Sequence, residues 1–577
     1  MVKFDRDAVD YSLYLVTGRE LLPEGKDYYE SLEESLKGGV TVVQVREKSI
    51  DTGEFVEIAR KTKEITDKTS VLQWACATPP PTTKNCTADP TDCTGAAGLH
   101  VGQTDMPVDL ARSLLPKDTI VGISVSNVKE AQAAVDSGLV DYVGIGAVWW
   151  TGSKDLKGKL CLGIDGVGEV LDVLAEGEKQ KGKVIKSVAI GGIHLPNLPQ
   201  LLHGCPSPKH LKSLDGIALI SDIVGFTNPE HAARKLRTVL DSYHRVRKDQ
   251  GGLHAAFGFN ACGEAGYMKR SGKELLEAAA GLIAVVREST PLAHQITNIV
   301  VANDSANATL AMGGSPIMAS AEQEVGDLSK VISGLLINFG TIKDRAGMLV
   351  AGKAANINKK PIVFDPVAVG ATAFRRETSK GMRPHQNMRD PQLTLRVAEL
   401  LQAWQPSVIK GNAAEIGALA ESAEVASRGV DSVGSGFANP AEVVKSLARK
   451  RRCVVALTGK EDWVSDGQTV VKLSNGHEYL GVITGSGCMT GSAITVYTGA
   501  ASQSVKQAYE NESQIVQGDI FAATIAGILV INVAAEIAAA RPDVKGPNTF
   551  RSALIDELYN LRADALLERA RVEVVES

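Results

Sequence analysis

Across residues 11–243 short apolar runs alternate with amphipathic stretches, and this alternation limits the fold more than any other feature of the chain. Candidate strands are Leu13–Val16, Val40–Val45, Gly98–Val101, Ile120–Ile123, Tyr142–Ile145, Ser187–Ile190 and Gly216–Leu219, with an eighth expected near Val71. Helical patterns at Tyr28–Leu36, Phe55–Thr66, Lys129–Asp136 and Pro229–Leu240 lie between them. Strands that alternate with helices at this spacing pair in parallel, with the helices outside. Eight such units predict a (β/α)8 TIM barrel; an open doubly wound sheet is the alternative.

At 577 residues the chain exceeds one hydrophobic core, and length alone suggests roughly three to four units, or two large ones. After Arg245 the pattern dissolves into a Gly- and Ala-rich run, so a linker is expected at 246–270, between units 1–245 and 271–577. From Ser271 a second alternation begins. Helical patterns cover Glu274–Val286, Ala302–Met312, Ile342–Asn356, Leu393–Trp404 and Pro440–Ala448. Strand-like runs cover Pro316–Met318, Gly334–Asn338, Ile362–Phe364, Ser407–Ile409 and Val454–Thr458, and Asp466-Gly467 reads as a hairpin turn. A parallel sheet with helices on both faces, an α/β/α sandwich, is predicted.

Charge and targeting signals exclude several classes. A net charge of −5 gives no electrostatic case for nucleic acid or an anionic membrane as a partner. Met1 to Asp10 is charged and lacks an apolar signal region. The apolar run Phe521 to Ala540 holds Asn532 and Glu536 and fits a buried helix better than a membrane span. Eight cysteines without a CxxC pair point to a reducing, cytoplasmic setting.

Polar residues cluster just after the strands. Gln44, Arg46 and Lys48 are spaced by two and share one strand face, which suits a polyphosphate; a solvated strand end has the same pattern. Asp105 follows the fourth strand, counting the one expected near Val71, as a candidate oxygen ligand for Mg²⁺. His100 reads as a packed core histidine. Ser124 follows the next strand, and Thr151-Gly152-Ser153-Lys154 the one after. Gly191-Gly192 and Ser221 follow the last two, where barrels commonly bind phosphate. In the second half, Asp365, Lys410, Glu415 and Thr458 fall at strand ends, where ligands of open sheets sit; Asp365 and Glu415 could carry Mg²⁺ through water or cap the following helices. The run Thr484-Gly485-Ser486-Gly487-Cys488-Met489 turns from a β-rich region into a helix. Such a turn leaves backbone N–H groups for an anion, and its dipole favours a Cys488 thiolate.

In order, QVREK, GLHVGQTD, VGIS, YVGIGAV with a following T-x-S-K, AIGGI and Ile220-Ser221 resemble thiamine-phosphate synthase over most of residues 11–243. That family joins a pyrimidine-methyl diphosphate to a thiazole phosphate and releases pyrophosphate. The resemblance implies that Gln44, Arg46, Lys48, Ser124 and Lys154 hold the pyrimidine diphosphate and that Asp105 binds Mg²⁺. It implies that Thr151, Ser153, Gly192, Ile220 and Ser221 hold the thiazole phosphate. Where the family ends its third strand in Asn-Asp-Arg, a base contact and a Mg²⁺ ligand, this chain reads Leu72-Gln73-Trp74-Ala75-Cys76-Ala77-Thr78-Pro79-Pro80-Pro81. Either Asp89 or Asp92 replaces the ligand in a divergent loop, or the segment reflects a reading-frame slip.

The second half resembles hydroxyethylthiazole kinase, of the ribokinase-like fold. HQITN (294–298), GGSPIM (313–318), NFGT (338–341), FDPVAVGAT (364–372), KGNAAE (410–415), TGSGCM (484–489) and KGPNTF (545–550) carry that likeness. It implies a catalytic Cys488, a thiazole site bordered by Met318 and Gly485, and ATP contacts from Asn298, Lys410, Thr458, Gly485, Ser486 and Gly487. Asp365 and Glu415 would serve the metal. Together the two resemblances imply a bifunctional enzyme of thiamine biosynthesis, of the fused type seen in fungi. Its substrates would be hydroxyethylthiazole, ATP and hydroxymethylpyrimidine diphosphate, and it would form a homo-oligomer. The alternatives are a thiazole kinase on an inactive barrel scaffold and a non-catalytic sensor of the pathway.

Overall fold

Runs such as Leu13–Val16 and Val42–Val45 are buried along their whole length, as parallel strands covered by helices must be. The computed structural model describes residues 6–47, 50–69, 71–76, 95–152, 161–249, 270–342, 344–375, 403–422, 426–428, 431–433, 436–505 and 512–575. The chain divides into two compact units, Met1–Arg245 with Asn511–Ser513, and Val246–Glu510 with Gln514–Ser577.

In the first unit, β1 (Leu13–Val16), β2 (Val42–Val45), β3 (Leu72–Cys76), β4 (Gly98–Val101), β5 (Ile120–Val125), β6 (Tyr142–Gly146), β7 (Lys186–Ile190) and β8 (Gly216–Leu219) form a closed barrel in chain order. All pairs are parallel, and β1 meets both β2 (Tyr14 opposite Val42) and β8 (Leu13 opposite Ile217). Side chains alternate between two apolar clusters. Leu13, Leu15 and Val43 pack with helix residues such as Leu32, Leu36 and Leu236, while Tyr14, Val16, Val42 and Tyr142 pack with one another. Helices start where side chains can cap them: Asp27 accepts from the amides of Tyr29 and Glu30 ahead of Tyr28–Lys37, and Asn127 accepts from Glu130 ahead of Val128–Ser137. The strand expected near Val71 is β3, which ends before the triproline; that run lies among residues 77–94, outside the described residues.

In the second unit, β9 (Leu292–Ile296), β10 (Ser315–Ile317), β11 (Gly334–Asn338), β12 (Ile362–Asp365) and β13 (Val408–Gly411) are followed by a separate small ribbon of β14 (Ala426–Arg428) and β15 (Asp431–Val433). The main sheet continues with β16 (Val454–Leu457), β17 (Asp462–Ser465), β18 (Val470–Leu473) and β19 (Val572–Val575), in the order β10-β9-β11-β12-β13-β16-β17-β18-β19. Pairing is parallel from β10 to β16 and antiparallel beyond. Each sheet face has its own core. Leu336, Val363, Val408 and Val454 pack with helices Gly272–Ser289, Ser486–Ser504 and Ile520–Ala539; Leu335, Phe364, Ile409 and Val455 pack with Arg345–Ile357, Ala413–Ala420 and Pro440–Arg451.

Helix Ile520–Ala539 is long and apolar enough to cross a membrane by composition, but 89% of its apolar window is buried inside the structure. The hairpin expected at Asp466-Gly467 joins β17 to β18: the Asp466 carboxylate accepts from the amides of Gln468 and Thr469, and Gly467 takes φ +90°. The helical pattern at Leu393–Trp404 lies outside the described residues up to 402, as does most of the expected linker, at 250–269.

Candidate active sites

In a closed parallel barrel every strand's carboxyl end opens on the same rim. Gln44, near the end of β2, is buried, and its Nε2 has no hydrogen-bond partner among the described residues. A buried amide donor without a partner is expensive, so this one is poised for a ligand acceptor. The Arg46 amide donates to Thr17 Oγ1 at 2.9 Å, which fixes the chain leaving β2. Asp105 accepts from the Gly102 amide at 2.7 Å, an interaction that holds its carboxylate at the start of the loop after β4. Ser124 Oγ, on β5, lies 2.9 Å from His100 Nε2. His100 is therefore not simply packing, because it touches a candidate ligand contact directly.

Two loops meet at the opposite arc. Gly192 has φ +69°, and a Cβ there would fall 2.6 Å from the Trp150 carbonyl oxygen. Only glycine lets the turn after β7 press against the loop that carries Thr151. The Asn197 side chain donates to the Gly192 carbonyl at 2.9 Å and holds this turn. Ile220 follows β8, and the exposed Ser221 opens the short helix Ser221–Val224. Lys48, Ser153 and Lys154 lie outside the described residues.

The second unit gathers its polar residues beyond β9, β11, β12 and β13, adjacent strands of the sheet. Asn338, the last residue of β11, is fully buried. Its Oδ1 accepts from the Gly340 amide at 2.8 Å and from Asn298 Nδ2 at 3.1 Å. That fixes the amide's orientation, so its Nδ2 faces Asp365 Oδ2 at 2.7 Å and Cys488 Sγ at 3.3 Å. Asn298 Nδ2 also lies 3.5 Å from Cys488 Sγ. Sequence reasoning missed Asn338; a polar residue closing a wholly apolar strand just before Phe339-Gly340 was the available signal.

Lys410 Nζ lies 3.3 Å from Asp365 Oδ1, both side chains being almost without solvent exposure. A Cβ on Gly487 would stand 3.2 Å from the same ammonium, so the lysine charge sits at the opening turn of helix Ser486–Ser504. Burial works against the Lys410 charge, but Asp365, Glu415 and Cys488 hold this lysine above its ordinary range. Burial also pushes the Asp365 carboxyl up, against Lys410 and Asn338. Glu415 is pushed up to about 7, first by burial and then by the Asp365 charge, against the pull of Lys410. Glu415 accepts from the amides of Ala368 at 3.0 Å and Asn412 at 2.8 Å, closing a capping box on Ala413–Ala420.

Gly485 caps helix Ser486–Ser504 with φ +84°, and a Cβ there would meet Val301 Cγ1 at 2.3 Å. Cys488, inside the first turn, differs from expectation. Burial, then the Asp365 charge, pushes its thiol up to about 11, while Lys410 and the two asparagine amides pull the other way. The thiolate expected from the helix start is overturned: desolvation outweighs the helix end, and Cys488 is a thiol at neutral pH. The amide of Thr458 donates to the Gly411 carbonyl at 2.9 Å, and Met318, half-buried, follows β10. Among the described residues, no three His, Cys, Asp or Glu side chains form a metal-holding group.

Candidate ligand contacts thus stand in two places, one at the rim of a parallel barrel and one under a glycine-capped helix of an α/β sheet. The thiamine monophosphate synthase family model matches residues 13–223, and the hydroxyethylthiazole kinase family model matches 283–389 and 392–564. The probable thiamine biosynthetic bifunctional enzyme of Schizosaccharomyces pombe is 34% identical over 581 residues, covering 98% of this chain and 99% of the relative. The thiamine biosynthetic bifunctional enzyme of Saccharomyces cerevisiae is 33% identical over 584 residues, covering 97% and 96%. The hydroxyethylthiazole kinase of Desulfatibacillum aliphaticivorans is 38% identical over 299 residues, covering 51% of this chain and 97% of that enzyme. The chain belongs to the family of thiamine biosynthetic bifunctional enzymes, which fuse a thiamine-phosphate synthase to a hydroxyethylthiazole kinase.

Proposed function

We propose that residues 1–245 form a (β/α)8 TIM-barrel synthase and 271–577 a ribokinase-like kinase, joined through 246–270. The kinase phosphorylates the hydroxyethyl oxygen of the thiazole with ATP. The observation that carries this reading is the convergence of Asn298, Asn338, Asp365 and Lys410 around Cys488 at the start of a glycine-capped helix. The amides of 485–488 and the Lys410 charge receive the transferring phosphoryl group. The minor fraction of Cys488 that has released its proton to solvent is the base: that thiolate, stabilised by the two asparagine N–H groups, takes the proton of the substrate hydroxyl. Asn298 and Thr458 contact ATP, and Met318 and Gly485 border the thiazole.

Asp365 and Glu415 suit Mg²⁺ held through water. Each already accepts hydrogen bonds from protein donors, and Mg²⁺ keeps several waters while bridging carboxylates to phosphates. Asp105 would do the same in the barrel. When bound, Mg²⁺ neutralises charge on the phosphate oxygens.

In the synthase the thiazole nitrogen attacks the pyrimidine methylene as pyrophosphate departs. Gln44, Arg46, Lys48, Ser124 and Lys154 hold the departing diphosphate, and Thr151, Ser153, Gly192, Ile220 and Ser221 hold the thiazole phosphate. The orphaned Gln44 amide supports this assignment. Ile299, Val300 and Val482, which flank the kinase loops, are 61–68% exposed, which supports a homo-oligomer with the site near a subunit boundary. A cytoplasmic setting accords with the cysteine pattern.

One reaction tests the whole: hydroxyethylthiazole, ATP, Mg²⁺ and hydroxymethylpyrimidine diphosphate with the full chain, products read by mass. Thiamine phosphate is expected. Thiazole phosphate alone would reduce the barrel to a scaffold, and neither product would leave a ligand-binding protein.

A further inference from the structure

Four side chains from four strands form one line of hydrogen bonds inside the barrel. Tyr14 Oη, on β1, lies 2.9 Å from Tyr142 Oη, on β6. Tyr142 Oη lies 2.8 Å from His100 Nδ1, on β4, whose Nε2 reaches Ser124 Oγ, on β5, at 2.9 Å. Tyr14 and Tyr142 are buried, whereas His100 and Ser124 are half-buried. The line therefore runs from the packed interior to the rim where the ligand contacts gather.

Two glycines make room for it. A Cβ on Gly122 would stand 2.1 Å from the Tyr142 ring, and one on Gly144 would stand 3.2 Å from His100 Cε1. These are the glycines of VGIS and YVGIG, and both lie within strands rather than turns. Their absent side chains are what the tyrosine and the histidine occupy.

A hydroxyl on Nδ1 decides which imidazole nitrogen carries the proton. If Tyr142 donates to Nδ1, Nε2 donates to Ser124, and the serine hydrogen is left to point at a ligand acceptor. If Nδ1 donates to Tyr142, Nε2 accepts from Ser124, and the serine offers lone pairs instead. We propose that Tyr142 is a positioning residue of the synthase reaction, acting through His100 to fix the place and the donor or acceptor sense of the Ser124 hydroxyl against the pyrimidine diphosphate. This rests on the reading that Ser124 touches that substrate.

Synthase kinetics of the full chain test both layers. Ser124→Ala is expected to lower turnover; wild-type turnover would sink the reading of Ser124 and the proposal with it. Tyr142→Phe, which removes one oxygen, is expected to lower kcat about three- to tenfold, the range one neutral hydrogen bond supports, with the KM for thiazole phosphate unchanged. Placed on Ser124→Ala it should cost nothing further. An equal loss in both backgrounds, or none in either, would overturn the proposal while leaving Ser124 in its role. His100→Gln keeps a donor or acceptor near Nε2, and His100→Asn keeps one near Nδ1. The glutamine variant is expected to retain more turnover, and equal losses would again overturn the proposal.

Discussion

Asn338 donates its side-chain amide to Asp365 at 2.7 Å, and the same nitrogen faces the Cys488 sulfur at 3.3 Å. One group therefore serves both the buried carboxylate and the sulfur that takes up a proton in the proposed transfer. Asn338→Ala would leave the fully buried Asp365 oxygen short of a donor. Kinase turnover should fall about ten- to a hundredfold, in keeping with a donor lost to a buried charge. Synthase turnover in the same preparation should hold. Steady-state assays of both steps check this, and an unaltered kinase rate would remove Asn338 from the site.

Cys488→Ala should slow the kinase step by about one to three orders of magnitude, as removal of a general base does. The same residue has a signature independent of turnover. Because its thiol is pushed up to about 11, modification of Cys488 by iodoacetamide should keep accelerating as pH rises past 9. Peptide mapping of the alkylated protein measures this, and a plateau below pH 8 would show that the sulfur is ionised in the resting site.

Glu415 makes stability depend on pH in a direction opposite to most carboxylates. Folded, it keeps a proton up to about 7, whereas unfolded it loses the proton near the ordinary glutamate value, about 4.3. The folded state binds more protons between those limits, so this contribution is complete below the lower limit and lost as pH climbs through the upper one. The ceiling on this contribution is about 4 kcal/mol. Thermal melts of the wild type and Glu415→Gln from pH 4 to pH 8 should differ in slope, the variant being flatter. Parallel slopes would show that the proton sits elsewhere.

Gly192→Ala places a side chain on a backbone at φ +69° and 2.6 Å from the Trp150 carbonyl. The loop pair must separate or strain, at about 1–3 kcal/mol. The expected result is a raised KM for thiazole phosphate and a lower barrel melting temperature, with the kinase KM for hydroxyethylthiazole unaltered. Normal synthase kinetics would separate this turn from the phosphate.

Strands with apolar runs were legible because burial on both faces demands them; Leu13–Val16, Gly98–Val101 and Gly334–Asn338 sit where the pattern puts them. The strand Leu292–Ile296 was not, because its centre is His294-Gln295. Those polar side chains are accommodated by partners distant in sequence. Gln295 pairs with Thr309 and Ser492, and His294 with the Ala319 carbonyl. Candidate residues at strand ends such as Asp365 and Lys410 could be picked out from position and type, since a carboxylate or lysine closing a buried strand needs a reason. The state of Cys488 could not, because the helix end was visible in the sequence while the desolvation and the Asp365 charge appear only in three dimensions.

The ring of eight strands closes where Leu13 meets Ile217. Every strand in it has two neighbours, so the sheet exposes no row of unpaired backbone donors and acceptors. A chain that stops short of β8, or that fails to seat β3 ahead of its proline-rich continuation, would present two such rows at once. Edges of that kind recruit other chains. The barrel's solubility is consequently a collective property of residues more than two hundred positions apart, and an incomplete ring should be lost to aggregation rather than to gradual loosening.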